Sequence, residues 1–177
     1  MKTHMKRKNV FSLETLFKMT HDLKREGNRI TFTHGAFDLF HGGHLQLLNL
    51  SARKGDFLIV GIETDNRITE YKSNKRPIID EQTRVSIISQ LQFVDAVFLK
   101  DTSLDTGARI EMYKNLNINV LTIGHNYALE DEIENDVERV GAKLVKYPRF
   151  QELSTTNIIR NIVDKYTPYQ KVPYSEE

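Results

Sequence analysis

The feature that most restricts the fold of this chain is an alternation, from residue 29 onward, of short β-branched runs with stretches of helical periodicity. Such alternation predicts a parallel sheet covered by helices on both faces, because parallel neighbours must be joined by crossovers and helices are the usual crossover. Five runs qualify as strands: residues 29–33, 57–62, 94–99, 119–124 and 143–147. Between them Val85, Ile88 and Leu91 mark one helix, Ile110, Tyr113 and Leu116 a second, and Leu129, Ile133, Val137 and Val140 a third, all at spacings of three or four. A leading helix runs from Ser12 as N-cap to Gly27 as its stop, with Leu13, Leu16, Thr20 and Leu23 inward, to pack on the sheet or on a second subunit. The last helix starts at Ser154 and is expected to bury Ile158, Ile159, Ile162, Val163 and Tyr166. The fold class is therefore α/β, a Rossmann-like five-stranded parallel sheet in a single domain. Residues 1–9 read as a flexible N-terminus, 10–166 as the domain and 167–177 as a C-terminal tail.

Composition removes several functional classes. With 177 residues and 39% hydrophobic content the chain is long enough to bury a core without covalent staples. It has no cysteine, which excludes disulfides, thiolate zinc sites and cysteine nucleophiles and is compatible with a cytoplasmic location. A formal charge of +1 gives no reason to expect nucleic acid or an anionic membrane as partner. The longest apolar runs, such as residues 57–62, are far shorter than the roughly 20 residues that span a bilayer. Lys2, Lys6, Arg7 and Lys8 lead into no apolar segment, so no secretory signal is read there.

Chemistry concentrates where the first strand gives way to a helix. The run Gly35-Ala36-Phe37-Asp38-Leu39-Phe40-His41-Gly42-Gly43-His44 sets two histidines three apart at a helix start, with glycines that let a ligand approach. Free backbone N–H groups and the helix dipole favour an anion there, and imidazoles can donate to its oxygens. Taken alone, the turn admits a metal, a base or a phosphate, and Asp38, His41 and His44 would together make a facial metal triad. In an open α/β sheet, ligands bind beyond the carboxyl ends of the strands where strand order reverses. Two further segments fall at such ends: residues 71–77, with Lys72, Lys75 and Arg76, and residues 149–157, with Arg149 and the hydroxyls of Ser154, Thr155 and Thr156. Two imidazoles, several cations and a second helix start suit a polyphosphate, whose transfer chemistry needs charge neutralisation and in-line positioning. Each part alone has a plainer explanation: a solvated charge run for Lys72 to Arg76, and an ordinary N-cap for Ser154.

Gly35-x-Phe37-Asp38-x-x-His41-x-Gly43-His44, with Ser154-Thr155-Thr156 far downstream, resembles the cytidylyltransferase-like nucleotidyltransferase superfamily, marked by an HxGH turn and an ST-rich helix start. The resemblance covers about residues 10–166. Ser12-Leu13-Glu14 leading to Thr33-x-Gly35, Lys72 four before Arg76-Pro77, and the run from Ser154 to Ile159 are most similar to the heptose 1-phosphate adenylyltransferase domain. The Phe37 to His41 run, and Arg149 five before Ser154, look more like the glycerol-3-phosphate and choline-phosphate cytidylyltransferases. The resemblance implies attack of a substrate phosphate oxygen on the α-phosphorus of ATP or CTP, with release of pyrophosphate and no covalent enzyme intermediate. It assigns His41, His44 and Lys72 to catalysis at the triphosphate, and Arg76 beside Lys72 over the phosphates. Ser154, Thr155 and Thr156 would donate to the β- and γ-phosphates with Arg149 adding a cation, while Thr33, Gly35, Ala36, Phe37, Gly43 and Gly124 would complete the nucleotide site. Asp38 would orient the turn. Mg²⁺ is expected with the nucleoside triphosphate and no metal site of the protein's own; the acceptor is a small phosphorylated sugar or polyol, and a homodimer is expected.

Two departures mark where specificity would differ. His125-Asn126-Tyr127 follow Ile123-Gly124 where the heptose enzymes typically read Lys-Gly-Gly-Asp-Tyr, and His34 replaces an asparagine or an aromatic. The expected function is a nucleotidyltransferase, leaning to a sugar-phosphate adenylyltransferase, with an alcohol-phosphate cytidylyltransferase as alternative. A nucleotide sensor that keeps the triphosphate cradle without turnover is the competing class.

Overall fold

The computed structural model describes residues 9–101, 106–124, 130–148 and 154–167. The elements are α1 (Leu13–Arg25), β1 (Ile30–Gly35), α2 (Gly42–Ala52), β2 (Phe57–Glu63), α3 (Asp65–Tyr71), α4 (Glu81–Ile88), β3 (Ala96–Lys100), α5 (Thr106–Asn115), β4 (Val120–Gly124), α6 (Glu130–Arg139), β5 (Lys143–Tyr147) and α7 (Thr155–Tyr166). All strands are parallel in the order β3-β2-β1-β4-β5, so the chain starts centrally, winds to one edge, returns past β1 and winds to the other. The expected Rossmann-like sheet is the observed one, and its order reverses between β1 and β4.

Strand alternation divides the core between the two faces. Leu58, Val60 and Ile62 of β2 pack with Leu48 of α2 and Val85 and Ile88 of α4. Ile59, with Ile30 and Phe32 of β1, packs on the other face against Leu16, Met112, Tyr113, Ile133 and Val137 of α1, α5 and α6. The leading helix therefore covers the sheet, with Ser12 accepting from the Thr15 N–H and Gly27 at φ 88° closing its end.

Register is pinned at the strand starts by three side chains. Asp56 accepts from the Arg29 N–H at 2.8 Å, Asp95 from Leu58 at 2.8 Å and Asn119 from Ile30 at 2.7 Å. Each stands just before one strand and satisfies a free donor at the start of its neighbour, so β1 to β4 open in step.

Several expectations are corrected. Residues 65–71 form α3, which has no amphipathic repeat; Thr64 caps it by accepting from the Arg67 N–H, and Ile68 is its one buried apolar side chain. Tyr71 thus belongs to a helix and not to the following loop. β1 runs on to Gly35, β3 begins at Ala96 because Asp95 is engaged as a clamp, and α4 ends at Ile88, short of Leu91. The largest correction concerns α7: none of its residues is buried, and Ile162, Val163 and Tyr166 are 49%, 52% and 65% exposed. Periodicity shows that a helix has an apolar stripe, not that another element covers it. Arg149, Leu129, residues 125–127, and all but Thr167 and Asn9 of the expected tail and N-terminus lie outside the described residues.

Candidate active site

The strand-to-helix turn after β1 is held in an unusual backbone shape. Phe37 and Leu39 have φ of 49° and 47°, left-handed values that side chains disfavour and that persist only when surroundings over-determine them. Asp38, between them, supplies that determination. Its side chain is fully buried and accepts from Arg76 Nε at 2.7 Å, from the Ile78 N–H at 3.0 Å and from the Ile79 N–H at 2.9 Å. Its carbonyl accepts from the Thr155 hydroxyl at 2.9 Å. One residue therefore ties together the turn, the segment after α3 and the start of α7. Burial opposes its charge, yet the two backbone donors and Arg76 outweigh burial and hold the carboxyl below the usual carboxylate range. Its carboxylate oxygens are thus spent on holding the turn and the segment after α3 together.

His41 caps α2, its Nδ1 accepting from the Gly43 N–H at 3.1 Å. A neutral His41 consequently carries its proton on Nε2, leaving that nitrogen as a donor. His44 lies one turn on, its ring stacked on His41 with centroids 3.8 Å apart and bounded by Phe37 and Phe40 at 5.4 and 5.8 Å. Burial first, then the neighbouring His41 and Lys72, push its pKa down to about 3, and burial also lowers that of His41. The pair is neutral at pH 7, and His44 Nδ1 is buried without a hydrogen-bond partner. A stacked, neutral imidazole pair at a helix start, with one buried ring nitrogen unpartnered, is poised for an anion.

Two adjoining cavities meet at this pair. The first, about 320 Å³, is lined by His41, His44, Lys72, Arg76, Ser154, Thr155 and Thr156. The structure thus brings together seven of the sequence-predicted residues from three segments that together span more than a hundred positions of the chain. The second, about 280 Å³, lies toward the β1–β4 crevice and includes His34, Gly35, Ala36, Phe37, Leu47 and Gly124 in its lining. His44, Lys72, Arg76 and Thr155 face both, so the cavities are two compartments of one cleft at the switch point of the sheet.

Other predicted residues sit elsewhere. Thr33 is fully buried and its hydroxyl donates to the Thr122 carbonyl at 2.9 Å, away from both cavities. Gly43 is buried, and its N–H donates to His41 Nδ1 rather than facing the cavities. Arg76 reaches the cleft but spends its Nε on Asp38. Sequence reasoning missed Glu63, a carboxylate 4% exposed at the end of β2 that accepts the Tyr71 hydroxyl and faces His34 Nδ1 at 3.6 Å. Its signal was present: a charge closing the otherwise apolar run Phe57-Leu58-Ile59-Val60-Gly61-Ile62. Among the described residues no cluster of three or more histidine and carboxylate side chains is arranged to hold a metal ion.

A family model described as cytidylyltransferase-like matches residues 32–161. The bifunctional protein HldE of Desulfatibacillum aliphaticivorans is 36% identical over 151 residues, covering 85% of this chain and 30% of the relative. HldE of Trichlorobacter lovleyi is 35% identical over 150 residues, 83% of this chain and 29% of the relative. The chain thus spans about 30% of the length of these curated relatives. Among solved structures, a lipopolysaccharide core biosynthesis protein from Thermoplasma volcanium matches with a TM-score of 0.60 and 26% identity, over 71% of this chain and 100% of that one. A pantoate-beta-alanine ligase from Francisella tularensis shares the fold, with a TM-score of 0.62 at 16% identity, over 96% of this chain and 82% of that one.

Proposed function

Because the chain belongs to the cytidylyltransferase-like family, we propose that its cleft transfers a nucleotidyl group from ATP or CTP to a small phosphorylated sugar or polyol and releases pyrophosphate. The observation that carries this is the convergence of His41, His44, Lys72 and the α7 start on one cavity. The likeness to HldE and to a lipopolysaccharide core biosynthesis protein favours a sugar phosphate as acceptor and ATP as donor.

The triphosphate enters the first compartment, where two helix starts aim free N–H groups and Lys72 adds a full positive charge. His41 donates from Nε2, and neutral His44 offers its ring proton to an oxygen of the α-phosphate. As negative charge builds on the bridging oxygen in the transition state, that oxygen becomes a stronger acceptor and the hydrogen bonds donated to it by the imidazoles strengthen. The Ser154 and Thr156 hydroxyls and the N–H groups at the α7 start hold the departing pyrophosphate, with Arg149 as a further cation for it. The second compartment, floored by Gly35, Ala36, Phe37 and Gly124, takes the nucleoside. Mg²⁺ arrives as part of the substrate, carried by the triphosphate, since Asp38 is fully engaged with Arg76, Ile78 and Ile79. The assembly proposed is a homodimer, which sedimentation equilibrium tests directly.

Pyrophosphate release measured with ATP and CTP offered separately against a panel of sugar and polyol phosphates tests the proposal. Release with ATP and a sugar phosphate is expected. Release only with CTP and an alcohol phosphate would replace the donor, and nucleotide binding without release for any acceptor would favour a sensor.

A further inference from the structure

Beside the cleft lies a buried carboxylate that phosphate binding does not call for, since an anion near a triphosphate opposes it. Glu63 ends β2 and accepts the hydroxyl of Tyr71, the last residue of α3. Lys72 follows at once as the C-cap of that helix, its N–H donating to the Ile68 carbonyl at 2.9 Å. Its ammonium stands 5.4 Å from the centroid of the Tyr71 ring, and the Arg67 guanidinium lies 5.6 Å from the same ring. A helix of seven residues has little stability of its own, so its last turn stays where tertiary ties put it. The phenol ties that last turn to the sheet, and its ring is the face over which the lysine ammonium stands.

We propose that Glu63 and Tyr71 are positioning residues for Lys72, fixing through a strand-to-helix tether the point at which its ammonium meets the triphosphate. This rests on the triphosphate reading of the cleft. Lys72 carries a flexible four-carbon stem on a short helix, and both of its degrees of freedom are restrained by the one aromatic residue before it. Glu63 has a second, smaller effect: its charge opposes the burial that lowers the Lys72 pKa.

The test is a double-mutant cycle read by calorimetric ATP binding to the full chain, with thermal unfolding as a check of folding. Tyr71→Phe keeps the ring and loses the tether, and should weaken ATP binding about tenfold, the scale of one hydrogen bond to a charged acceptor. In a Lys72→Ala background the same change should have no further effect. Glu63→Gln, which still accepts from the phenol, should keep most of the affinity, whereas Glu63→Ala should behave like Tyr71→Phe. Equal losses in both backgrounds, or none in either, would overturn the proposal. A ligand-free readout separates it from the transferase reading: the Lys72 titration, followed by ¹³C NMR of reductively methylated protein with Lys72→Arg as assignment control. Tyr71→Phe should shift that titration, and an unchanged one overturns the tether even if nucleotidyl transfer is real. A shifted titration in a protein without turnover would instead sink the transferase reading and leave the tether standing.

Discussion

His44 is the residue on which most of the site's physics converges. Its imidazole is enclosed by Phe37, Phe40 and His41, and burial beside other positive groups depresses its pKa to about 3. In the unfolded chain the same ring titrates near 6.5, so between those values the unfolded state binds more protons than the folded one. Stability contributed by the neutral ring is complete above about pH 6.5 and is lost progressively as pH falls toward 3. His34 and His41 are depressed in the same direction, principally by burial, and add to the loss as pH falls below 6.5. Asp38 and Glu63, both held below the usual carboxylate range, lose their contribution only at lower pH. Chemical denaturation between pH 7 and 4.5 should therefore show a shallower loss of stability in His44→Asn than in the parent. Identical slopes would mean that His44 is not buried as a neutral ring.

At the scale of elements, Asp38 is the joint of the site, and removing its carboxylate should be felt in three places at once. Asp38→Ala leaves Arg76 without its partner and two backbone donors unsatisfied, a change of the kind that costs about 3 kcal/mol in a buried pair. Urea unfolding should show that loss, and ATP affinity should fall with it because residues 76–79 are no longer fixed to the turn. Gly55 makes a second joint. A Cβ there would stand 2.5 Å from the Arg29 carbonyl oxygen, which already accepts from the Asp56 and Phe57 N–H groups where β1 and β2 begin. Gly55→Ala should lower stability by about 1–3 kcal/mol, the usual range for overpacking, without changing kcat in the surviving folded protein. These elements also show how far sequence reaches. The five strands and the HxGH turn were legible because strand hydrophobicity and turn glycines are local signals. Helix α3 was not, because Thr64 and a single buried Ile68 hold it where no repeat exists. The Glu63–Tyr71 bond was hidden as well, since it joins a strand end to a helix end and only the folded crossover brings them together.

For the whole molecule, the order β3-β2-β1-β4-β5 places every charged segment of the site at one end of the sheet. Both faces of that sheet are covered by helices of this chain, and β2 contributes to both core clusters. The 177-residue chain should therefore unfold in one cooperative transition, with fluorescence and far-UV dichroism coinciding, although it spans only about 30% of its curated relatives. What the fold delivers is a neutral, stacked histidine pair facing Lys72 and the start of α7 across a cavity of about 320 Å³. The central claim is that this pair stabilises charge arising during transfer. The direct measurement is pyrophosphate turnover at saturating nucleotide and acceptor for the parent and for His44→Ala, with unfolding curves to show both are folded. Turnover should fall by at least about a hundredfold, the typical loss of one transition-state donor, while ATP affinity changes far less. A folded His44→Ala protein with parental turnover would contradict the account.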